Sequence, residues 1–118
     1  MIFIIDDDAL MSSCLAKEIL SESISEVECY SNGIEAMEAM NKKIPDLIFL
    51  DILLDGPDGF SFLNELSSYE DTEKIPVVII SSVNLNDANL SEYGVVKVLD
   101  KSLMTPTDIK EIIKKYAR

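Results

Sequence analysis

The sequence predicts an α/β fold: a doubly wound, five-stranded parallel sheet of (βα)5 order with helices on both faces. Three features carry that prediction. Short apolar runs recur at strand length, the segments between them switch to a helical period, and no repeat, linker or low-complexity tract breaks the alternation.

The first run, IFIID at residues 2–6, has no polar alternation and reads as a strand buried on both faces. LIFLD at 47–51, PVVIIS at 76–81 and VVKVL at 95–99 read the same way, with Lys97 the one polar exception. EVECY at 26–30 alternates polar and apolar residues, as a strand nearer the sheet edge would. Leu10, Met11, Cys14, Leu15 and Ile19 are expected on one helical face, as are Ile34, Met37 and Met40 in the next helix. Phe62, Leu63 and Leu66 mark a helix after Asp58-Gly59, and residues 84–93, NLNDANLSEY, form the weakest one. The last helix presents Ile109, Ile112, Ile113 and Tyr116 to the core and has the clearest start. Thr105 caps it, Pro106 takes the first helical position, Asp108 lies three residues after the threonine, and Lys114, Lys115 and Arg118 sit near the opposite dipole end.

A chain of 118 residues, 47% of them apolar, suits one core, so residues 1–118 are expected to form a single domain. Its 22 acidic and 10 basic residues give a formal charge of −12, which opposes nucleic-acid phosphates and anionic lipid; direct nucleic-acid binding by this domain is not expected. No apolar run approaches the roughly 20 residues of a membrane span, and the N-terminus lacks a signal peptide's basic region and cleavage site. No membrane partner and a cytoplasmic location are therefore expected. Cys14 and Cys29 have no metal-ligand spacing and no histidine accompanies them, so they are expected to be buried free thiols, with zinc excluded.

Parallel sheets of this kind bind ligands beyond the carboxyl ends of their strands. Here the first strand runs out into Asp6-Asp7-Asp8, the third ends in Asp51, the fourth in Ser81-Ser82, and Lys101 follows the fifth. Two carboxylates about 4 Å apart repel by on the order of 4 kcal/mol at an effective dielectric near 20, so a cluster of them calls for a cation. Mg²⁺, a hard ion that takes carboxylates and phosphate oxygens, fits. Beside it a carboxylate can attack phosphorus and form an acyl phosphate, with a lysine and a hydroxyl receiving the phosphoryl oxygens.

The IFIIDD stretch, LIFLDILLDGPDGF around Asp51, the IPVVIIS strand and the lysine of VLDKSL together resemble a response-regulator receiver domain of two-component signalling, over the whole chain. The resemblance implies the flavodoxin-like strand order 2-1-3-4-5. It also implies Asp51 as phosphoacceptor, with Asp58-Gly59 at the family's distance, Asp7 as direct metal ligand and Asp6 acting mainly through water. Ser81 matches the switch hydroxyl and Lys101 the phosphate-contacting lysine, while the backbone carbonyl of Leu53 would complete the Mg²⁺ ligands. The implied donors are a sensor histidine kinase, a phosphotransfer protein, or a small compound such as acetyl phosphate. Phosphorylation would then shift the face made by the weak helix, the strand at 95–99 and the last helix, for a downstream output partner or a fused output domain to read. Such a domain is not an enzyme beyond its own phosphorylation and dephosphorylation.

Asp8 is better explained as the N-cap of the first helix than as a third ligand. Three positions depart from the family pattern. Asp55 stands where many members have proline, Val98 replaces the aromatic residue that swings inward on activation, and Ser102 replaces the proline after the lysine. Serine removes the tertiary amide that makes a cis bond cheap, so the bond after Lys101 is expected to be trans. Three rival readings are weaker. A haloacid-dehalogenase phosphatase needs a general acid where Leu53 stands, a pseudo-receiver that binds partners without phosphorylation usually lacks a site residue, and a flavodoxin needs a Ser/Thr-rich phosphate loop after the first strand.

Overall fold

The computed structural model describes residues 1–22, 26–52, 59–82 and 93–116. The elements run β1 (Ile2–Ile5), α1 (Ala9–Glu22), β2 (Val27–Tyr30), α2 (Gly33–Met40), β3 (Leu47–Asp51), α3 (Gly59–Ser67), β4 (Val77–Ser81), β5 (Val95–Asp100) and α4 (Pro106–Tyr116). The five strands form one parallel sheet in the order β2-β1-β3-β4-β5. Every residue of β1, β3 and β4 is buried, as their unbroken apolar runs predict.

Alternation along the strands divides the core in two. Phe3, Ile5, Ile48, Leu50, Val77 and Ile79 pack with Ala36 and Met40 of α2 and with Phe62, Leu63 and Leu66 of α3. Ile2, Ile4, Leu47, Phe49, Val78 and Ile80 face the other way, against Leu15 and Ile19 of α1 and Ile109, Ile112 and Ile113 of α4. Thr105 and Asp108 close a reciprocal cap at the start of α4. The Asp108 N–H donates to the threonine hydroxyl at 3.3 Å, and the Thr105 N–H donates to the Asp108 carboxylate at 2.9 Å.

Several expectations need correction. Leu10 is 76% exposed, because at 100° per residue it lies about 140° around α1 from Leu15. The buried stripe of α1 is Ser12, Leu15 and Ile19. Ile34 is exposed for the same geometric reason, since α2 turns Ala36 and Met40 inward. The run at 95–99 is not buried on both faces: β5 lies at the sheet edge, and only its Leu99 is buried. Cys14 and Cys29 are free but exposed, the first outside the α1 stripe and the second on the edge strand β2. The weak helix expected at 84–93 lies, apart from Tyr93, outside the described residues. Among the described residues no helix is long and apolar enough to cross a membrane.

Candidate functional site

Parallel strands deliver their last residues to one edge of the sheet, where side chains far apart in sequence can meet. Ile5 is in register with Leu50, which sets Asp6, just past β1, beside Asp51 at the end of β3. Asp51 is in register with Ile80, the residue before Ser81, and Ser81 with Asp100 at the end of β5. Lys101 comes next in the chain.

Local hydrogen bonds hold each position. The Asp6 N–H donates to the Tyr30 carbonyl at 3.0 Å, extending the β1–β2 ladder past the last strand residue. The Asp6 carboxylate accepts the Asp8 N–H at 2.9 Å, and the Asp6 carbonyl accepts the Ser12 hydroxyl at 3.4 Å. Asp8 is the N-cap of α1, its carboxylate accepting the N–H groups of Leu10 and Met11 at 3.0 and 3.1 Å. Of the three adjacent aspartates, Asp8 thus serves the helix, while Asp6 and Asp7 turn to the strand edge.

Carboxylate oxygens of Asp6, Asp7 and Asp51 all lie within 4.8 Å of one another, Asp6 and Asp51 buried and Asp7 exposed. The Lys101 ammonium donates to Asp51 at 2.9 Å and stands 3.3 Å from Asp6. Burial pushes the Asp6 carboxyl above its ordinary pKa; the Asp8 N–H and the Lys101 charge pull it back, and the Asp51 charge adds to the rise. Burial alone would lower the Lys101 ammonium, but the hydrogen bond to Asp51 and the charges of Asp6 and Asp51 outweigh it and hold the pKa above its usual value.

The residues present fit a small divalent cation. Among the described residues Lys101 pairs with Asp6 and Asp51 while three carboxylates crowd together, and every donor is a hard oxygen, the chemistry that Mg²⁺ prefers.

The main chain of Lys101 is tied to the neighbouring strand, its N–H donating to the Ser81 carbonyl at 2.9 Å. Among the described residues no peptide bond is cis, so the bond after Lys101 is trans, as its sequence predicts. The Asp100 carboxylate accepts both the N–H and the hydroxyl of Ser102, at 2.8 and 2.6 Å, and these bonds hold its pKa below the usual carboxylate value.

Of the expected site residues, Asp6, Asp7, Asp51 and Lys101 come together, and Ser81 is buried at the adjoining strand end. Leu53, like Asp55 and Val83, lies outside the described residues. Val98 is 44% exposed on β5. Asp100 was missed in the sequence, although Asp-Lys-Ser is a pattern in which an aspartate bonds the residue two positions on.

Comparison with known proteins agrees with this geometry. The family described as "Response regulator receiver domain" matches residues 2–114. A protein-glutamate methylesterase/protein-glutamine glutaminase of Oleidesulfovibrio alaskensis is 32% identical over 105 residues, covering 85% of this chain and 29% of its own length. The chain therefore spans under a third of that relative. The receiver domain of NtrX from Brucella abortus superposes with a TM-score of 0.83 at 26% identity, covering 99% of this chain and 98% of that one. The phosphorylated cyanobacterial phytochrome response regulator RcpA does so with a TM-score of 0.80 at 29% identity, covering 98% and 91%. With the family matched across nearly its whole length and the acidic strand edge in place, the chain belongs to the response-regulator receiver domains.

Proposed function

We propose that this chain is a phosphoacceptor, in which Asp51 takes a phosphoryl group from a phosphohistidine of a sensor kinase or phosphotransfer protein, or from acetyl phosphate. The observation that carries the reading is the Asp51 carboxylate itself. It is buried at a strand end, within 4.8 Å of two further carboxylates and hydrogen-bonded to Lys101. The relative RcpA, described as phosphorylated, supports it.

An oxygen of Asp51 attacks phosphorus in line, the new P–O bond forming as the bond to the donor nitrogen (or acetate oxygen) breaks, and the leaving group keeps the electron pair. Lys101 then moves its hydrogen bond from the carboxylate to a phosphoryl oxygen, and Ser81 offers its hydroxyl to another. Asp6, Asp7, Asp51 and the Leu53 carbonyl would hold Mg²⁺, which supplies the positive charge that crowded oxygens require. The phosphorylated state shifts the face made by β5, α4 and the segment before β5, which a downstream partner or a fused output domain reads. The chain acts as one receiver domain in the cytoplasm, without contacting nucleic acid or membrane itself, and catalyses only its own phosphorylation and dephosphorylation.

Intact-mass analysis after incubation with acetyl phosphate and Mg²⁺ tests the reading. One added phosphoryl group on the parent and none on Asp51→Asn is the expected result. An unmodified parent would instead favour an interaction domain that takes no phosphoryl group.

A further inference from the structure

Lysine carries a long, rotamer-rich side chain, so its ammonium stays near two buried carboxylates only if the backbone beneath it is fixed. At Lys101 that backbone is held on both sides. Its own N–H donates to the Ser81 carbonyl at 2.9 Å, and the Asp100 carbonyl accepts the N–H groups of Leu103 and Met104 at 3.0 and 2.9 Å. The Asp100 carboxylate then reaches across Lys101 to take the N–H and the hydroxyl of Ser102 at 2.8 and 2.6 Å. One side chain thus fastens the residue before the lysine to the residue after it. Bonds to an ionised carboxylate are shorter and stronger than neutral ones, which suits them to this task.

We propose that the Asp100–Ser102 turn sets the direction of Lys101, making Asp100 a positioning residue for phosphoryl binding at Asp51. This rests on the phosphoacceptor reading above. The carboxylates of Asp6, Asp7 and Asp51 belong to other strand ends, so loosening the turn weakens the hold on a phosphoryl group and leaves cation binding in place.

Calorimetric titration with beryllofluoride in Mg²⁺, and with Mg²⁺ alone, tests this on the parent, Asp100→Ala and Asp100→Asn. Asp100→Ala is expected to lose beryllofluoride affinity about three- to tenfold, what one intramolecular hydrogen bond is worth in an equilibrium, because the two lost bonds act on the site only through Lys101, and Mg²⁺ affinity is expected to stay unchanged. Asn keeps an oxygen that accepts both bonds, about half as strongly as a carboxylate, so Asp100→Asn is expected to fall between the parent and Asp100→Ala, with a loss of about two- to threefold. Three results would overturn the proposal: parental beryllofluoride affinity in Asp100→Ala, a loss in Asp100→Asn equal to that of alanine, or a parallel loss of Mg²⁺ affinity. A parent chain that binds no beryllofluoride would overturn the phosphoacceptor reading itself, and this inference with it.

Discussion

Asp51→Asn is expected to raise the melting temperature of this chain in the presence of a chelator. At an effective dielectric near 20, two charges at the 4.8 Å limit of the cluster repel by about 3.5 kcal/mol, the least that Asp51 and Asp6 exert on each other. Asp7 is exposed, and water reduces its share to about half of that or less. Against these stands Lys101 at 2.9 Å, attracting by about 6 kcal/mol on the same scale. On this scale the repulsions and the attraction are of similar size, so the Asp51 charge gains little from these neighbours to offset its burial. Asparagine removes that charge and still offers Lys101 an oxygen. A gain of roughly 1 to 2 kcal/mol follows, or about 4 to 8 °C for a domain of this size. Thermal melts followed by circular dichroism, with chelator and with saturating Mg²⁺, measure it. The ion should stabilise the parent, by about 2.7 kcal/mol at a hundredfold excess over its dissociation constant, and so close the gap. A mutant that melts below the parent in chelator would show that the Lys101 pair outweighs the crowding, and the reasoning would fail.

Asp8→Ala should cost about 1 kcal/mol of stability through the lost cap and leave Mg²⁺ affinity unchanged; a fall in that affinity would make Asp8 a ligand. Gly59→Ala would set a Cβ 2.6 Å from the Ile52 Cα and 2.9 Å from its carbonyl oxygen, so urea denaturation should show a loss of about 1 to 3 kcal/mol, and an unchanged midpoint would contradict the packing. Burial and then the hydrogen bond to Glu28 push the Tyr30 phenol up to about 12. The folded state therefore keeps a proton that the unfolded chain loses near pH 10, and this group's contribution to stability falls as pH rises from about 10 to 12. In an ultraviolet titration the Tyr30 contribution, identified as the part lost in Tyr30→Phe, should rise near pH 12, and Glu28→Gln should bring it forward; a Tyr30 contribution that rises near pH 10 would refute this. Leu53 and Val83, two residues after the proposed acceptor Asp51 and the proposed phosphoryl-binding Ser81, have apolar side chains that offer no group to orient an attacking water. Leu53→Asn or Val83→Glu should shorten the acyl-phosphate lifetime, and unchanged decay in both would place its control elsewhere.

The fold was legible because its signals are local and agree with one another. The runs at 2–6, 47–51 and 76–81 are apolar up to their last residue, the pattern of a strand covered on both faces. Thr105-Pro106 fixed the start of α4 to the residue. What failed was burial at the margins. VVKVL reads like a central strand, yet β5 has a neighbour on one side only, and nothing in five residues reveals which strand lies at an edge. Leu10 and Ile34 misled in a similar way, because an apolar residue near a helix start is easily counted into a stripe that it misses by a third of a turn or more. At the site, Asp6, Asp7, Asp51 and Lys101 were legible since parallel topology sends every strand exit to one edge. That Lys101 bonds Asp51 and also stands close to Asp6, and that Asp100 clasps Ser102, depends on side-chain directions that spacing does not encode.

Locating the phosphoryl group on the chain tests the central claim most directly. After reaction with acetyl phosphate and Mg²⁺, borohydride reduction converts an aspartyl phosphate to homoserine, and peptide mass spectrometry reads its position. Homoserine at position 51 is the expected result. Homoserine at Asp6, Asp7, Asp8 or Asp55, or none on the parent chain, would contradict the assignment of Asp51 as the acceptor.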